Sequence, residues 1–172
     1  MKSVALISTG GTIEKTYDAL RGVLDNRVSV LDVMLASLEL RAVDIHRIAL
    51  MNKDSTDMDD ADHELIANTA QWAARNHSGV IVVHGTDRLE VSGERILKAG
   101  EPNTPIILTG AMRPFELRAT DALQNLTEAL LAVQLLTPGV YSVMHNRILQ
   151  FPGVIKDRKR GTLIKPNSDD DR

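Results

Sequence analysis

Gly79-Val80-Ile81-Val82-Val83-His84-Gly85-Thr86-Asp87 is a run of apolar, mostly β-branched residues that ends in a small polar cluster. Unbroken apolar character, rather than alternation, predicts a parallel strand covered on both faces. Two other stretches are built the same way. Val4-Ala5-Leu6-Ile7 leads into Ser8-Thr9-Gly10-Gly11-Thr12-Ile13-Glu14, and Pro105-Ile106-Ile107-Leu108-Thr109 leads into Gly110-Ala111-Met112-Arg113-Pro114. A fourth strand, over 42–50, carries Val43, Ile45, Ile48 and Ala49, is interrupted by His46 and Arg47, and runs into Asn52-Lys53-Asp54-Ser55-Thr56-Asp57. Residues 139–144 read as the last long strand, and 147–150 as a short extra one.

Helical patterns lie between these strands. Ser29 is a good N-cap for a helix over 29–40, with Val30, Val33, Met34 and Leu38 on one face. Asp59 or Asp60 caps a helix that runs to residue 76 and turns Leu65, Ile66, Thr69, Trp72 and Ala73 inward. Further helices are expected over 88–99 and 120–136. This alternation predicts a single-domain α/β fold: a doubly wound, mostly parallel sheet flanked by helices, three-layered and flavodoxin-like. Residues 10–27 lack periodicity, and a loop that long inside a compact domain is often functional. It carries Tyr17, one of two tyrosines.

At 172 residues the chain can bury roughly 70% of its unfolded surface, so a core needs no staples. A net charge of -3 leaves no basic footprint for nucleic acid, and 3% aromatic content leaves few stacking platforms. The absence of cysteine excludes disulfides, thiolate metal sites and cysteine nucleophiles. No apolar run reaches the ~18 residues of a membrane span, and the start shows no secretory pattern. A cytoplasmic protein bound neither to membrane nor to nucleic acid is expected. Residues 166–172 read as a solvated polar tail behind a domain over 1–165.

In an open parallel sheet the four polar clusters, at 9–12, 52–57, 84–87 and 109–113, share one edge, where such folds bind ligands. Gly10-Gly11-Thr12-Ile13-Glu14-Lys15-Thr16 ends like a Walker A loop. That motif, however, needs Gly before the Lys and four residues between its glycines. Glu14 stands in the place of that Gly and would repel a phosphate. The five histidines, His46, His63, His77, His84 and His145, form no helical i,i+4 pair, so no metal site is expected. His63 and His77 read as surface residues, and His84 as a strand-end residue able to orient its neighbours. A threonine nucleophile fits the edge better, since a hydroxyl needs a base nearby. Thr86 and Asp87 leave one strand together, Lys156 or Lys15 could join them, and Tyr17 is another proton acceptor. Backbone amides at Gly10-Gly11 and Gly85-Thr86 could stabilise an oxyanion. Asp87 could equally cap the following helix.

Thr9-Gly10-Gly11-Thr12-Ile13 and His84-Gly85-Thr86-Asp87 resemble the two signature motifs of the bacterial-type L-asparaginases, the asparaginase/glutaminase family. Gly110-Ala111-Met112-Arg113-Pro114 is a third such segment, and Asp54-Ser55-Thr56-Asp57-Met58 resembles its substrate-carboxylate loop. The resemblance runs over about 3–160, in the family's order. It implies hydrolysis of L-asparagine to L-aspartate and ammonia through an acyl-enzyme, without a cofactor. Thr12 would be the nucleophile. Thr86, Asp87 and Lys156 would form a second hydroxyl-lysine-carboxylate group that relays protons or activates water. Tyr17 would be a lid tyrosine hydrogen-bonded to Thr12. Gly11, Asp54, Ser55 and Thr56 would bind substrate, and Ala111 would offer its carbonyl to the leaving amide. A glutaminase, an amidotransferase-associated amidohydrolase and a non-catalytic asparagine- or aspartate-binding module are the alternatives. Members of the family usually carry a second, C-terminal domain. A chain of this length is therefore expected to be a short, single-domain member with a more open site, assembled as a homodimer or homotetramer.

Overall fold

The computed structural model describes residues 1–166. The order is β1 (Lys2–Gly10), a 3-10 turn (Thr12–Glu14), β2 (Thr16–Asp18), β3 (Val23–Asp25), α1 (Leu31–Ala36), β4 (Val43–Lys53), a second 3-10 turn (Ser55–Asp57) and α2 (Asp60–Asn76). There follow β5 (Gly79–Val83), α3 (Leu89–Lys98), β6 (Pro105–Thr109), α4 (Ala122–Leu135), β7 (Gly139–Met144), β8 (Arg147–Gln150), β9 (Ile155–Asp157) and β10 (Thr162–Ile164).

The main sheet runs β4-β1-β5-β6-β7-β8. The first five strands are parallel and β8 is an antiparallel edge strand. Counting only the parallel strands, the order is 2-1-3-4-5, the flavodoxin-like arrangement. From β1 the chain passes first to β4 on one side and later to β5 on the other. The crevice beyond the carboxyl ends of β1 and β5 is therefore the switch point at which such sheets bind ligands. β5 and β6 are buried at every residue, as unbroken apolar runs require. One face packs Ala5, Ile7, Val80, Val82, Ile106 and Leu108 against α2 and α3. The other packs Leu6, Ile81, Val83 and Ile107 against α1 and α4.

α2 begins on a capping box. The Asp62 amide donates to Asp59 Oδ1 at 2.9 Å and the Asp59 amide to Asp62 Oδ2 at 3.1 Å. Its inward stripe is Ile66, Ala67, Ala70, Ala73 and Ala74, whereas Leu65 and Trp72 are 48% and 52% exposed. Small residues let the helix sit close on the sheet, so the expected Leu65/Trp72 face is the outer one. The N-cap position of α1 is Val30 rather than Ser29, but the Ser29 hydroxyl accepts from the Leu31 amide at 3.4 Å while it donates to Glu14. The helix is also shorter than the 29–40 pattern. The turn between β7 and β8 is two residues, His145 and Asn146, at φ 53° and 60°, the left-handed pair that a tight hairpin needs.

Two hairpins stand outside the main sheet. β2 pairs with β3 inside the stretch read as an aperiodic loop, and β9 pairs with β10 near the end. Of the polar tail expected over 166–172, residues 167–172 lie outside the described residues. Among the described residues no helix is long and apolar enough to cross a membrane.

Candidate active site

The four polar clusters meet, and glycines are the reason they can. Gly10 and Gly11 leave β1 at φ +98° and +83°. A Cβ on Gly11 would stand 2.4 Å from Gly85 Cα, and one on Gly10 would stand 2.5 Å from the Lys53 amide nitrogen. A Cβ on Gly85 would lie 2.6 Å from Ser55 Oγ, and one on Gly110 would lie 2.3 Å from the His84 carbonyl oxygen. The loops after β1, β4, β5 and β6 thus touch backbone to backbone. Gly11→Ala should cost at least about 2 kcal/mol, from left-handed strain together with the clash against Gly85. Urea denaturation checks this, and a cost under about 0.5 kcal/mol would mean the loops are not in contact.

Thr12 opens the first 3-10 turn. Ile13 and Glu14 are fully buried beneath it, and the Ile13 carbonyl accepts from the Phe115 amide at 3.3 Å. That anchoring leaves Thr12 half-buried on the rim, and its hydroxyl makes no hydrogen bond among the described residues. The Gly11 amide donates to the Lys53 carbonyl at 2.8 Å, so it is not free to hold an oxyanion. The Thr86 amide makes no hydrogen bond among the described residues.

Glu14 does not face the loop's outer surface. Its carboxyl is buried, accepts from Ser29 Oγ and lies near Arg47, so it would not repel a phosphate bound at the glycines. The Walker A spacing remains wrong for a phosphate loop. Burial pushes the Glu14 carboxyl above its ordinary value near 4.5, against the pull of Ser29, Arg47 and the Gly10 amide, with Asp32 adding to the rise. Folded Glu14 therefore keeps its proton to higher pH than the unfolded chain does. Its stabilising contribution is complete below about 4.5 and is lost as pH rises through the folded value. Relative to Glu14→Gln, the wild type should lose stability over that window and then level off. Denaturation midpoints across pH 4 to 8 read this directly, and a flat difference would place Glu14 in contact with solvent.

The second expected group is assembled. Lys156, on β9, donates to Thr86 Oγ1 at 2.8 Å and to Asp87 Oδ1 at 3.0 Å. Thr86 is buried and also approaches Met112 Sδ at 3.5 Å, while Lys156 is largely covered. Asp87 does not cap α3, because that helix has no side-chain cap. Instead it takes a second cation: Arg158 Nη1 lies 2.7 Å from the same Oδ1. Sequence reasoning missed Arg158, which sits in a charged turn with no pattern to single it out.

Behind Thr86 lies a buried chain of polar groups. His84 Nδ1 is 2.7 Å from the Gly85 carbonyl, which can only accept, so this nitrogen carries the proton. Burial lowers the ring's pKa to about 4, so it is neutral and Nε2 accepts. Nε2 takes the Ser92 hydroxyl at 2.8 Å, and Ser92 Oγ then accepts from His63 Nδ1 at 2.7 Å. His63 is thus a fully buried partner and not a surface residue. The chain fixes the carbonyl that precedes Thr86, which matches the orienting role expected of His84.

Asp54 is not free. It lies 2.5 Å from Lys15 Nζ and accepts from the Thr56 amide at 3.0 Å and the Thr56 hydroxyl at 2.9 Å. Burial works to raise its carboxyl, but Lys15 and Thr56 together outweigh that and hold it below the usual range. Ser55 Oγ is buried, faces Gly85 and makes no hydrogen bond among the described residues. Ala111 is buried in a turn pinned by Asp121, which accepts from the Met112 and Arg113 amides at 2.9 Å each and lies 2.7 Å from His145 Nε2. His145 Nδ1 is in turn 2.9 Å from Thr162 Oγ1, tying the turn to β10. Tyr17 lies on β2 and is 58% exposed. Its amide donates to Glu116, and no hydrogen bond joins its hydroxyl to Thr12 among the described residues. Asn26 Nδ2 donates to the Gly11 carbonyl at 2.8 Å and holds the base of this hairpin against the glycines.

The family described as Asparaginase, N-terminal, matches residues 3–160. A glutamyl-tRNA(Gln) amidotransferase component from Methanococcus vannielii is 30% identical over 152 residues, covering 86% of this chain and 35% of that protein. Its counterpart from Haloquadratum walsbyi is 30% identical over 169 residues, covering 97% and 38%. Among solved structures, the thermostable L-asparaginase of Thermococcus kodakarensis superposes with a TM-score of 0.81 at 26% identity, over 90% of this chain and 47% of that one. The probable cytoplasmic L-asparaginase of Campylobacter jejuni gives 0.78 at 26%, over 96% and 52%. The chain spans about a third of the curated relatives' length and about half of the solved ones'.

Proposed function

The chain belongs to the asparaginase family, and from that premise we propose that it is an L-asparagine amidohydrolase that releases L-aspartate and ammonia through an acyl-enzyme on Thr12. The observation that carries this reading is Lys156 bonded to both Thr86 and Asp87, on the loop that meets Gly11 next to Thr12, whose own hydroxyl makes no hydrogen bond among the described residues. Thr12 Oγ1 bonds to the carboxamide carbon and gives up its proton to a base, Tyr17 once its hairpin closes or Lys156 through Thr86. The tetrahedral intermediate then breaks its C–N bond, and the nitrogen takes a proton and leaves as ammonia. Water, deprotonated by Lys156 through the Thr86 hydroxyl, attacks the Thr12 ester. Aspartate departs and Thr12 regains its proton. The Thr86 amide is the available oxyanion donor. Ser55 Oγ would take the substrate α-carboxylate, Asp87 the α-ammonium, and the Ala111 carbonyl the leaving amide. Gly11 would leave room for the substrate's approach, and Asp54 and Thr56 would shape the loop that carries Ser55. No cofactor is invoked. A homodimer or homotetramer in the cytoplasm, acting on a small molecule and on neither nucleic acid nor membrane, completes the proposal.

A second reading has its own support: both curated relatives named above are components of a glutamyl-tRNA(Gln) amidotransferase. On that reading the chain supplies ammonia to a partner. A binding module without turnover is the third. Ammonia release from L-asparagine, L-glutamine and D-asparagine separates them. Turnover of L-asparagine by the isolated protein supports the lead reading. Release that requires a partner supports the second, and binding without ammonia supports the third.

A further inference from the structure

Both carboxylates at the rim are paired with cations of this chain. Asp54 holds Lys15 from the base of the β2–β3 hairpin, and Asp87 holds Arg158 from the turn between β9 and β10. Resting on the proposed function, we infer that Arg158 determines specificity: it occupies the ammonium seat on Asp87 and so opens the site to ω-amides of dicarboxylic acids that lack an α-ammonium group, the succinamate class.

The argument is one of competition. A free amino-acid substrate brings an ammonium that must reach Asp87, and Arg158 Nη1 stands 2.7 Å from the very oxygen that also holds Lys156. Seating that ammonium on Asp87 brings it beside the Arg158 guanidinium on the same carboxylate, and the repulsion between the two like charges favours release of Arg158. A substrate with no ammonium leaves the pair in place, so Asp87 stays neutralised and is not left facing an uncharged carbon. The Arg158 side chain is 71% exposed, on a long stem, and an exposed ion pair contributes little, so the swing into water costs little. Arg158 therefore lowers the preference for the zwitterion without forbidding it. Lys156 is not displaced in either case, because its second bond, to Thr86, holds it.

The test compares kcat and KM for L-asparagine and succinamate in the wild type, Arg158→Ala and Arg158→Lys. Truncating an exposed side chain leaves the core untouched. The wild type is expected to release ammonia from both substrates. Arg158→Ala should lower KM for L-asparagine about two- to five-fold, the range an exposed pair allows. It should also shift the ratio of kcat/KM toward L-asparagine by a similar factor, and Arg158→Lys should restore much of the original ratio. An unchanged ratio, or a higher KM for L-asparagine, overturns the inference. If neither substrate yields ammonia, the proposed function fails, and calorimetric binding of L-aspartate and succinate then tests Arg158 alone. The same shift in affinity ratio upholds it. An unchanged ratio, or no binding of either compound, overturns it.

Discussion

Thr12→Ala is expected to lower ammonia release from L-asparagine by roughly three to six orders of magnitude, the usual loss when a covalent nucleophile is removed. The fold should hardly notice. Thr12 is half-buried, its hydroxyl makes no hydrogen bond among the described residues, and Ile13 and Glu14 carry the anchoring of its turn. Substitutions of that kind shift stability by about 0.5 kcal/mol or less. Thr12→Ser should retain part of the activity, because the attacking oxygen survives while its rotamer is less restricted. Parallel ammonia assays and thermal melts of the three proteins check this. An alanine variant with near wild-type turnover would remove Thr12 from the chemistry.

Lys156→Met is the second large effect. It deletes the nitrogen that joins Thr86 to Asp87, and kcat should fall by about 10^2- to 10^4-fold, the range of a lost general acid or base. Asp87 still keeps Arg158, so no carboxylate is stranded and folding should survive. The kinetic form of the loss is informative. If Lys156 works mainly on water in the second half of the cycle, rapid mixing should show one fast equivalent of ammonia followed by a slow phase. Loss of both phases would make Lys156 the base for Thr12 as well. An unaltered rate would exclude it from the mechanism, and Thr86→Val should behave in parallel.

The strands were legible because burial on both faces leaves a mark in the chain. Pro105–Thr109 and Gly139–Met144 coincide with their apolar runs. The clusters behind them were expected to share one edge, and the glycine contacts bring those clusters together. What escaped was structure with no periodic signal. β2, β3, β9 and β10 are three residues each, too short for alternation to register. On α2 the large residues Leu65 and Trp72 suggested the inner face, but close approach to the sheet favours the alanines. His63 looked exposed because its partner Ser92 stands 29 positions away. The Asp121–His145 pair, 24 positions apart, was hidden in the same way. Arg158 lies in a run of charges, and only the fold reveals its pairing with Asp87.

The central claim is a covalent bond between substrate and Thr12. Acid quenching of the Lys156→Met variant after brief mixing with L-asparagine, followed by peptide mass analysis, tests it most directly. The account predicts a mass increase of one aspartyl group on the peptide carrying Thr12, absent when Thr12 is also alanine. An aspartyl adduct on another residue, or ammonia release from the wild type with no adduct at Thr12 under any quench time, would contradict it.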